Sequence, residues 1–370
     1  MRRIAMFVAA STMSLSLAGC GVLNATGSST TATPTKGNDI TVGVLMPDKI
    51  NTRYTNFDYP IMKSKIAELT NKQGRVDYQN ADSSAPTQAK QMQKMIDDKV
   101  DVIILDSVDS HAIADTVKNA EKAGIPVIAY DRLAEGPIAG YVSFDNELVG
   151  EVQARTLLEG LGPNADTSDK VIMINGSPTD PNAKQFKTGA LSELTGKVTI
   201  PTDAMFDTKD WDPPTAGKET TKAIDAIGKD NVAAVYSAND AMAAEIIKSL
   251  KAAGITDLPP VTGQDADLDA IQRILTGEQY MTVYKPYPDE AEAAAEMAVY
   301  KVQGKDIQFD ALTQDQVDSP TNKDIPAQLV QVNAVTKSKI KDTVVADGIY
   351  KISQICTAAY KTACDAAGLK

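Results

Sequence analysis

The chain is poor in the residues from which most catalytic and metal centres are built. Its 370 residues include one histidine, His111, one tryptophan, Trp211, and three cysteines, Cys20, Cys356 and Cys364. A single histidine excludes imidazole clusters for metals and Ser-His-Asp triads. His111 itself, within Ser110-His111-Ala112-Ile113, reads as a surface residue in the first turn of a helix. Positive charge is also short: 37 Lys and Arg face 49 Asp and Glu, a net charge of −12. Such a surface suits neither nucleic acid nor an anionic bilayer as a partner. No GxxxxGK[ST] loop is present to cradle phosphate. Asp265-Ala266-Asp267-Leu268-Asp269 starts like a calcium loop, but Ala270 and Thr276 stand where the loop needs Gly and Glu, which removes that site. Long apolar runs are missing as well. Residues 4–17 fall short of the roughly 20 that a spanning helix needs. No cofactor or metal is expected, and the body is expected to be a soluble monomer.

What is present begins at the N-terminus. Arg2 and Arg3 precede the apolar stretch 4–17, small residues follow, and Cys20 ends the pattern of an export signal. Leu17-Ala18-Gly19-Cys20 resembles the lipobox of bacterial lipoproteins. That resemblance implies cleavage before Cys20, lipid on its thiol and new amino group, and a place on the outer face of the plasma membrane or in the periplasm. One acyl chain, at about 0.8 kcal/mol per buried methylene, anchors only marginally, whereas two or three hold durably. Residues 1–19 are thus read as signal, and 20–39, rich in Gly, Ser and Thr, as anchor and flexible linker. Cys356 and Cys364 remain for a bridge, which an oxidising compartment permits. Eight residues of one helix rise about 12 Å, and a disulfide needs Cα atoms within about 7 Å, so bridging requires a turn near 358–361.

From residue 40 onward, short β-branched runs alternate with helical stretches. Strands are predicted over 40–46, 75–80, 100–105, 126–130, 171–174, 232–237, 260–263 and 281–284. Helices are predicted over 86–98, 110–122 and 241–253, with Ser110 and Asn239 in N-cap positions. Alternation of this kind argues for parallel sheets covered by helices, and the length suits two sheets of four to six strands.

In open parallel sheets, ligands bind outside the carboxyl ends of the strands. Polar residues recur at those ends: Asp131 and Arg132, Asn175 with Asp180 and Asn182, Asn239 and Asp240, Gln264 and Asp265, then Lys285. Arg53 and Tyr54 open the first helix. Taken singly, each has a plain alternative as a cap, a turn or a solvated charge. Together they are what a neutral polyhydroxylated ligand needs, since ionised partners roughly double the strength of its hydroxyl bonds. Trp211, in the polar setting FDTKDWDPP, is the candidate flat partner for a sugar's C–H face. Asp131 and Asp265 could in principle form a glycosidase pair, but Arg132 and Lys285 beside them would keep both ionised where a general acid is required. No enzymatic activity is expected.

The segments IAYDR (128–132), YVSFDNELVGEVQA (141–154), GSPTDPNAKQF (176–186), SANDAMA (237–243), TGQDADLDAIQRI (262–274), MTVYKP (281–286) and KDTVVADGIYK (341–351) occur in one order. In sequence and order they resemble the periplasmic sugar-binding proteins of the ribose/galactose type, especially the xylose-binding members. The resemblance implies two similar Rossmann-like α/β lobes joined by a three-strand hinge, the type I periplasmic-binding-protein fold. Lobe 1 would comprise 40–144 and 286–325, and lobe 2 would comprise 145–285 and 326–370. Crossings are expected near 144–146, near 284–285 and after Ile325. It further implies a monosaccharide in the cleft (xylose first, then fructose, glucose or galactose), delivered to an ABC permease. A sensory receptor subunit is the alternative. The sugar contacts implied are Arg53, Tyr54, Asp131, Arg132, Asn182, Trp211, Asn239, Asp265 and Lys285. Tyr54 stands where xylose-binding members carry tryptophan.

Overall fold

The computed structural model describes residues Thr35–Lys370. The signal segment, Cys20 and most of the linker lie outside the described residues. Among the described residues no helix is long and apolar enough to cross a membrane.

The first part of the chain alternates β1 (Thr41–Met46), α1 (Tyr59–Leu69), β2 (Arg75–Asn80), α2 (Ala85–Asp97), β3 (Val102–Leu105), α3 (Ala114–Lys122), β4 (Val127–Tyr130) and β5 (Gly140–Phe144). The second part follows with α4 (Asn146–Leu161), β6 (Lys170–Asn175), α5 (Pro181–Leu194), β7 (Met205–Asp207), α6 (Pro213–Ile227), β8 (Val232–Ser237), α7 (Asp240–Ala252), α8 (Leu268–Thr276) and β9 (Met281–Tyr284). Last come α9 (Tyr287–Gln303), α10 (Asp306–Leu312), β10 (Asp315–Val317), β11 (Ile325–Val330), β12 (Asn333–Thr336), α11 (Ile352–Ile355) and α12 (Lys361–Ala366).

The larger sheet has seven strands in the order β10-β11-β5-β4-β3-β1-β2, parallel except for the short edge strand β10. Its central strands β3 and β4 are buried on both faces, which is why they read as unbroken apolar runs. One face packs on α1 and α9, the other on α2 and α3. A second core surrounds the parallel sheet β7-β6-β8, and β9 pairs antiparallel with β12. The fold is the type I periplasmic-binding-protein fold, parallel sheets flanked by helices.

Three sequence expectations need correction. Residues 260–263 form only a bridge, Val235 to Val261, because Pro260 has no N–H and Gly263 lies hard against Asp240. The second sheet is therefore split into three strands and two. Strand β11 stays in the larger sheet to Val330, so that sheet runs five residues past the Ile325 boundary. Ser110 does not cap α3. The N-cap is Ile113, without a side-chain cap; Asp109 Oδ1 accepts from the His111 and Ala112 N–H groups in the turn before the helix, while Ser110 bonds Ser107. His111 is exposed and bonds Glu135 at 2.9 Å.

After β12 the chain folds into a compact C-terminal segment on α8, closed by a bridge between Cys356 and Cys364 with Cα atoms 5.8 Å apart. A 3₁₀ turn, Ala358–Tyr360, breaks the helix between the two cysteines, as the distance argument requires. Closing so short a loop is worth about 2.5 kcal/mol in the chain-entropy model. Replacing both cysteines with serine should lower unfolding free energy by that amount in a urea titration. A variant as stable as the parent would show the bridge to be idle.

Candidate functional site

The large sheet and the elements of the second half meet at a cavity lined by Asp48, Ile50, Asn51, Tyr54, Asp131, Arg132, Asp180, Asn182, Phe186, Trp211, Asn239, Gln264, Asp265 and Lys285. Of the nine residues read from the sequence, Tyr54, Asp131, Arg132, Asn182, Trp211, Asn239, Asp265 and Lys285 line it, and Arg53 does not.

Asp131 follows β4 with φ 55°, in the left-handed region. Its carbonyl is held there by three donors: Tyr141 hydroxyl at 2.8 Å, Ser143 hydroxyl at 2.7 Å and Asn182 Nδ2 at 2.9 Å. The Asn182 amide also reaches the Asp131 carboxylate at 2.8 Å. Burial alone would raise the Asp131 pKa, but the cations Lys285, Arg53 and Arg132 outweigh it and hold the carboxyl below its usual range. An acid kept ionised in this way accepts hydrogen bonds and cannot act as a proton donor.

Arg132 reaches across to the second sheet, its Nε 2.9 Å from Asp180 Oδ2, and donates to the Ser107 carbonyl at 3.0 Å. Asp48 and Asp106 stand 3.7 and 3.6 Å from the same guanidinium. Burial pushes the carboxyls of Asp48, Asp106 and Asp180 upward, against the pull of Arg132. Lys285 Nζ lies 3.0 Å from Asp265 and over the rings of Phe144 and Phe186 at 5.3 and 5.9 Å. Asn51 Nδ2 donates to Asp265 Oδ2 at 3.0 Å.

The reading of Arg53 as a ligand contact is replaced by a place one layer deeper. Its side chain is 2% exposed and meets Asp58 at 2.9 Å, Asp131 at 2.9 Å and Glu290 at 2.6 Å. It precedes a π-helical turn, Tyr54–Asp58, that turns Tyr54 into the cavity and brings Asp58 back onto Arg53. Burial holds the carboxyls of Asp58 and Glu290 above their usual range even beside this cation.

Trp211 forms an aromatic wall with Phe186, ring centroids 6.3 Å apart and near edge-to-face. Its indole N–H donates to Asp180 at 3.1 Å. The six-membered ring of Trp211 lies against Gly176, where a Cβ would sit 2.0 Å from the ring. Gly176→Ala should therefore push the ring off its seat. Trp211 is the chain's single tryptophan, so intrinsic fluorescence reads the displacement directly. An unshifted emission maximum in the variant would contradict this.

Phe186 comes from the helix α5. That helix approaches α4 so closely that a Cβ on Gly150 would lie 2.0 Å from the Phe186 carbonyl oxygen, and one on Gly189 would lie 1.9 Å from that of Glu147. Such contact is open only to glycine.

Residues 42–306 match the profile of a periplasmic binding protein domain. The chain belongs to that family. It is 35% identical over 323 residues to the D-xylose-binding periplasmic protein of Escherichia coli, a match covering 86% of this chain and 93% of the relative. It is 32% identical to a multiple sugar-binding periplasmic receptor of Rhizobium radiobacter, covering 85% and 92%. An ABC transporter solute-binding protein from Clostridium phytofermentans, solved with β-D-glucose, superposes with TM-score 0.77 at 26% identity, covering 85% of this chain and 99% of that one. The family is one of binding proteins, and this periplasmic-type binding protein is not an enzyme.

Sequence reasoning left out Asp48, Ile50, Asn51 and Phe186 as lining residues, and it named Asp180 and Gln264 among the polar strand exits but not among the sugar contacts. Asp180 and Gln264 stood at strand exits and were within reach of the same rule. Asp48, Ile50 and Asn51 lie in an irregular loop without a pattern, and Phe186 reads as an ordinary helix core position.

Proposed function

We propose that this chain is the lipid-anchored substrate-binding protein of an ABC importer and carries one monosaccharide between two lobes. The observation that carries the reading is the composition of the cavity. Carboxylates, amides, Arg132 and Lys285 share its lining with three aromatic side chains, Tyr54, Phe186 and Trp211. Among the described residues, the buried acceptors Asn182 Oδ1 and Gln264 Oε1 find no hydrogen-bond partner. A polyol supplies donors and acceptors in the number such a site can use, and its C–H faces suit Trp211 and Phe186.

The lobes in this reading are 40–144 with 286–330, and 145–285 with 331–370, joined where β5 leads into α4, β9 into α9 and β11 into β12. Closure of one lobe on the other around the sugar would present a loaded surface to the permease. Sugar favours closure only through contacts better made in the closed form. Cys20 would hold the protein at the membrane face, with the linker as spacer. D-xylose is the first ligand to test, supported by relatives named for it at 35% and 34% identity. Glucose and galactose follow, and fructose after them. A sensory role is the second reading, favoured by the relative named as a receptor.

A thermal-shift screen of pentoses and hexoses tests this. At 100 times the dissociation constant a specific ligand adds about 2.7 kcal/mol to stability, enough to raise the melting temperature by several degrees. A protein freed of carried-over ligand that responds to no monosaccharide would sink the proposal.

A further inference from the structure

One carboxylate beside the cavity takes no part in lining it. Asp240 opens α7 directly after Asn239 and is 1% exposed. Its oxygens collect three donors from separate parts of the chain: Gln279 Nε2 at 2.7 Å, Thr282 Oγ1 at 2.8 Å and the Asp267 N–H at 3.0 Å. Its own N–H donates to the Gln264 carbonyl at 3.0 Å, and its carbonyl accepts from Arg273 at 3.0 Å. Gly263 presses against it so closely that a Cβ there would lie 1.9 Å from Asp240 Oδ1. Thr282 passes the tie on, its hydroxyl oxygen accepting from the Ala266 N–H at 3.1 Å.

Residues 263–267 are tied to this group at three points: the Asp267 N–H on the carboxylate, the Gln264 carbonyl on the Asp240 N–H, and the Ala266 N–H through Thr282. Asp265 and Ala266 sit at φ 95° and 54°, backbone that non-glycine residues adopt under strain. The strained pair places Asp265 and Gln264 at the cavity.

We propose that Asp240 is a positioning residue for ligand binding: its carboxylate clamps residues 263–267 in the strained form that offers Asp265 and Gln264 to the ligand, and protonation loosens the clamp. The affinity part of this inference rests on the proposed sugar site; the clamp itself does not. The charged groups around Asp240 are Asp265 and Asp267 on the segment, with Asp269 and Arg273 on α8. Burial pushes the Asp240 carboxyl up to about 7, against Arg273 and the bonds from Gln279 and Thr282. An ionised carboxylate accepts all three donors, whereas the neutral acid turns one oxygen into a donor facing another donor. The Thr282 hydroxyl can rotate away, but the two N–H groups cannot. Because the folded value lies above the ordinary 3.8, this group steadies the fold as pH drops from about 7 towards 4. Ligand affinity moves the other way and weakens below about pH 7.

The test uses Asp240→Asn, which mimics the neutral acid, with Thr282→Val as a milder variant should the first fail to fold. Amide exchange of the sugar-free protein at pH 8 should quicken about tenfold at Ala266 and Asp267 and stay unchanged through the middle of α7. Calorimetric affinity for D-xylose should fall about tenfold at pH 8, a difference of roughly 1.4 kcal/mol, and the gap to wild type should close by pH 6. Thr282→Val should show the same exchange pattern at smaller size. Unaltered exchange at 263–267 in the variants that fold, or an affinity ratio constant with pH, overturns the inference. If wild type binds no xylose or other sugar, the sugar reading fails, and the exchange result alone decides the clamp.

Discussion

Replacing Arg53 with methionine is expected to cost about 3–5 kcal/mol of folding free energy, the range for removing one partner from a buried ion cluster. Among the described residues Arg53 is the only cation within hydrogen-bonding distance of Asp58 and Glu290, both fully buried. The rings of Tyr54, Tyr130, Phe144 and Tyr287 surround the guanidinium at 5.4 to 6.0 Å from its carbon, so water has no route to take over its role. Without Arg53 the two carboxyls would have to protonate or remain as unpaired buried charges, and either course destabilises the fold. Urea unfolding reads the loss. The triple variant Arg53→Met, Asp58→Asn, Glu290→Gln should recover much of it, because the stranded charges go with their partner. A loss under about 1 kcal/mol in the single variant would mean that the cluster contributes little.

Asp131→Asn is expected to weaken sugar binding about 30- to 150-fold, the equivalent of 2–3 kcal/mol for one charge-assisted buried bond. The change is nearly isosteric, so the fold should persist. Its effect should also be even across pH. The folded pKa of Asp131 is depressed, so its contribution is present above the ordinary value of 3.8 and lost only as pH falls through the lower folded value. Calorimetry at pH 5.5 and 8.5 should give the same ratio of wild-type to variant affinity. A dissociation constant within about threefold of wild type would remove Asp131 from the site.

The two predictions also mark what could and could not be read from the chain. Asp131, Arg132, Asn239, Asp265 and Lys285 were legible because parallel strands end at a common edge and the residue after each apolar run is placed there by the fold itself. Strands 75–80, 232–237 and 281–284 came out with the bounds expected, since turn residues such as Gly74, Gly228 and Gly277 set them off from the preceding helices. The partners of Arg53 were not legible. Glu290 looks like any acid in the first turn of a helix, and only the docking of α9 on the large sheet brings it to Arg53. Phe186 was hidden for the same kind of reason, as one apolar helix residue among several. The segment 260–263 misled because β-propensity is judged residue by residue, while pairing also needs the N–H that Pro260 lacks. Tyr54 reaches the cavity through a π-helical turn that no periodicity announces.

The glycine contacts between α4 and α5 have a mechanical consequence. α4 begins at the β5 crossing, and α5 carries Asn182 and Phe186 to the cavity. With their backbones touching at Gly150 and Gly189, no layer of side chains is left between them to act as a cushion. If the lobes close as proposed, a turn of the chain at Asp145 would be delivered undamped to Asn182 and Phe186, and the helix pair would work as a lever rather than a spring.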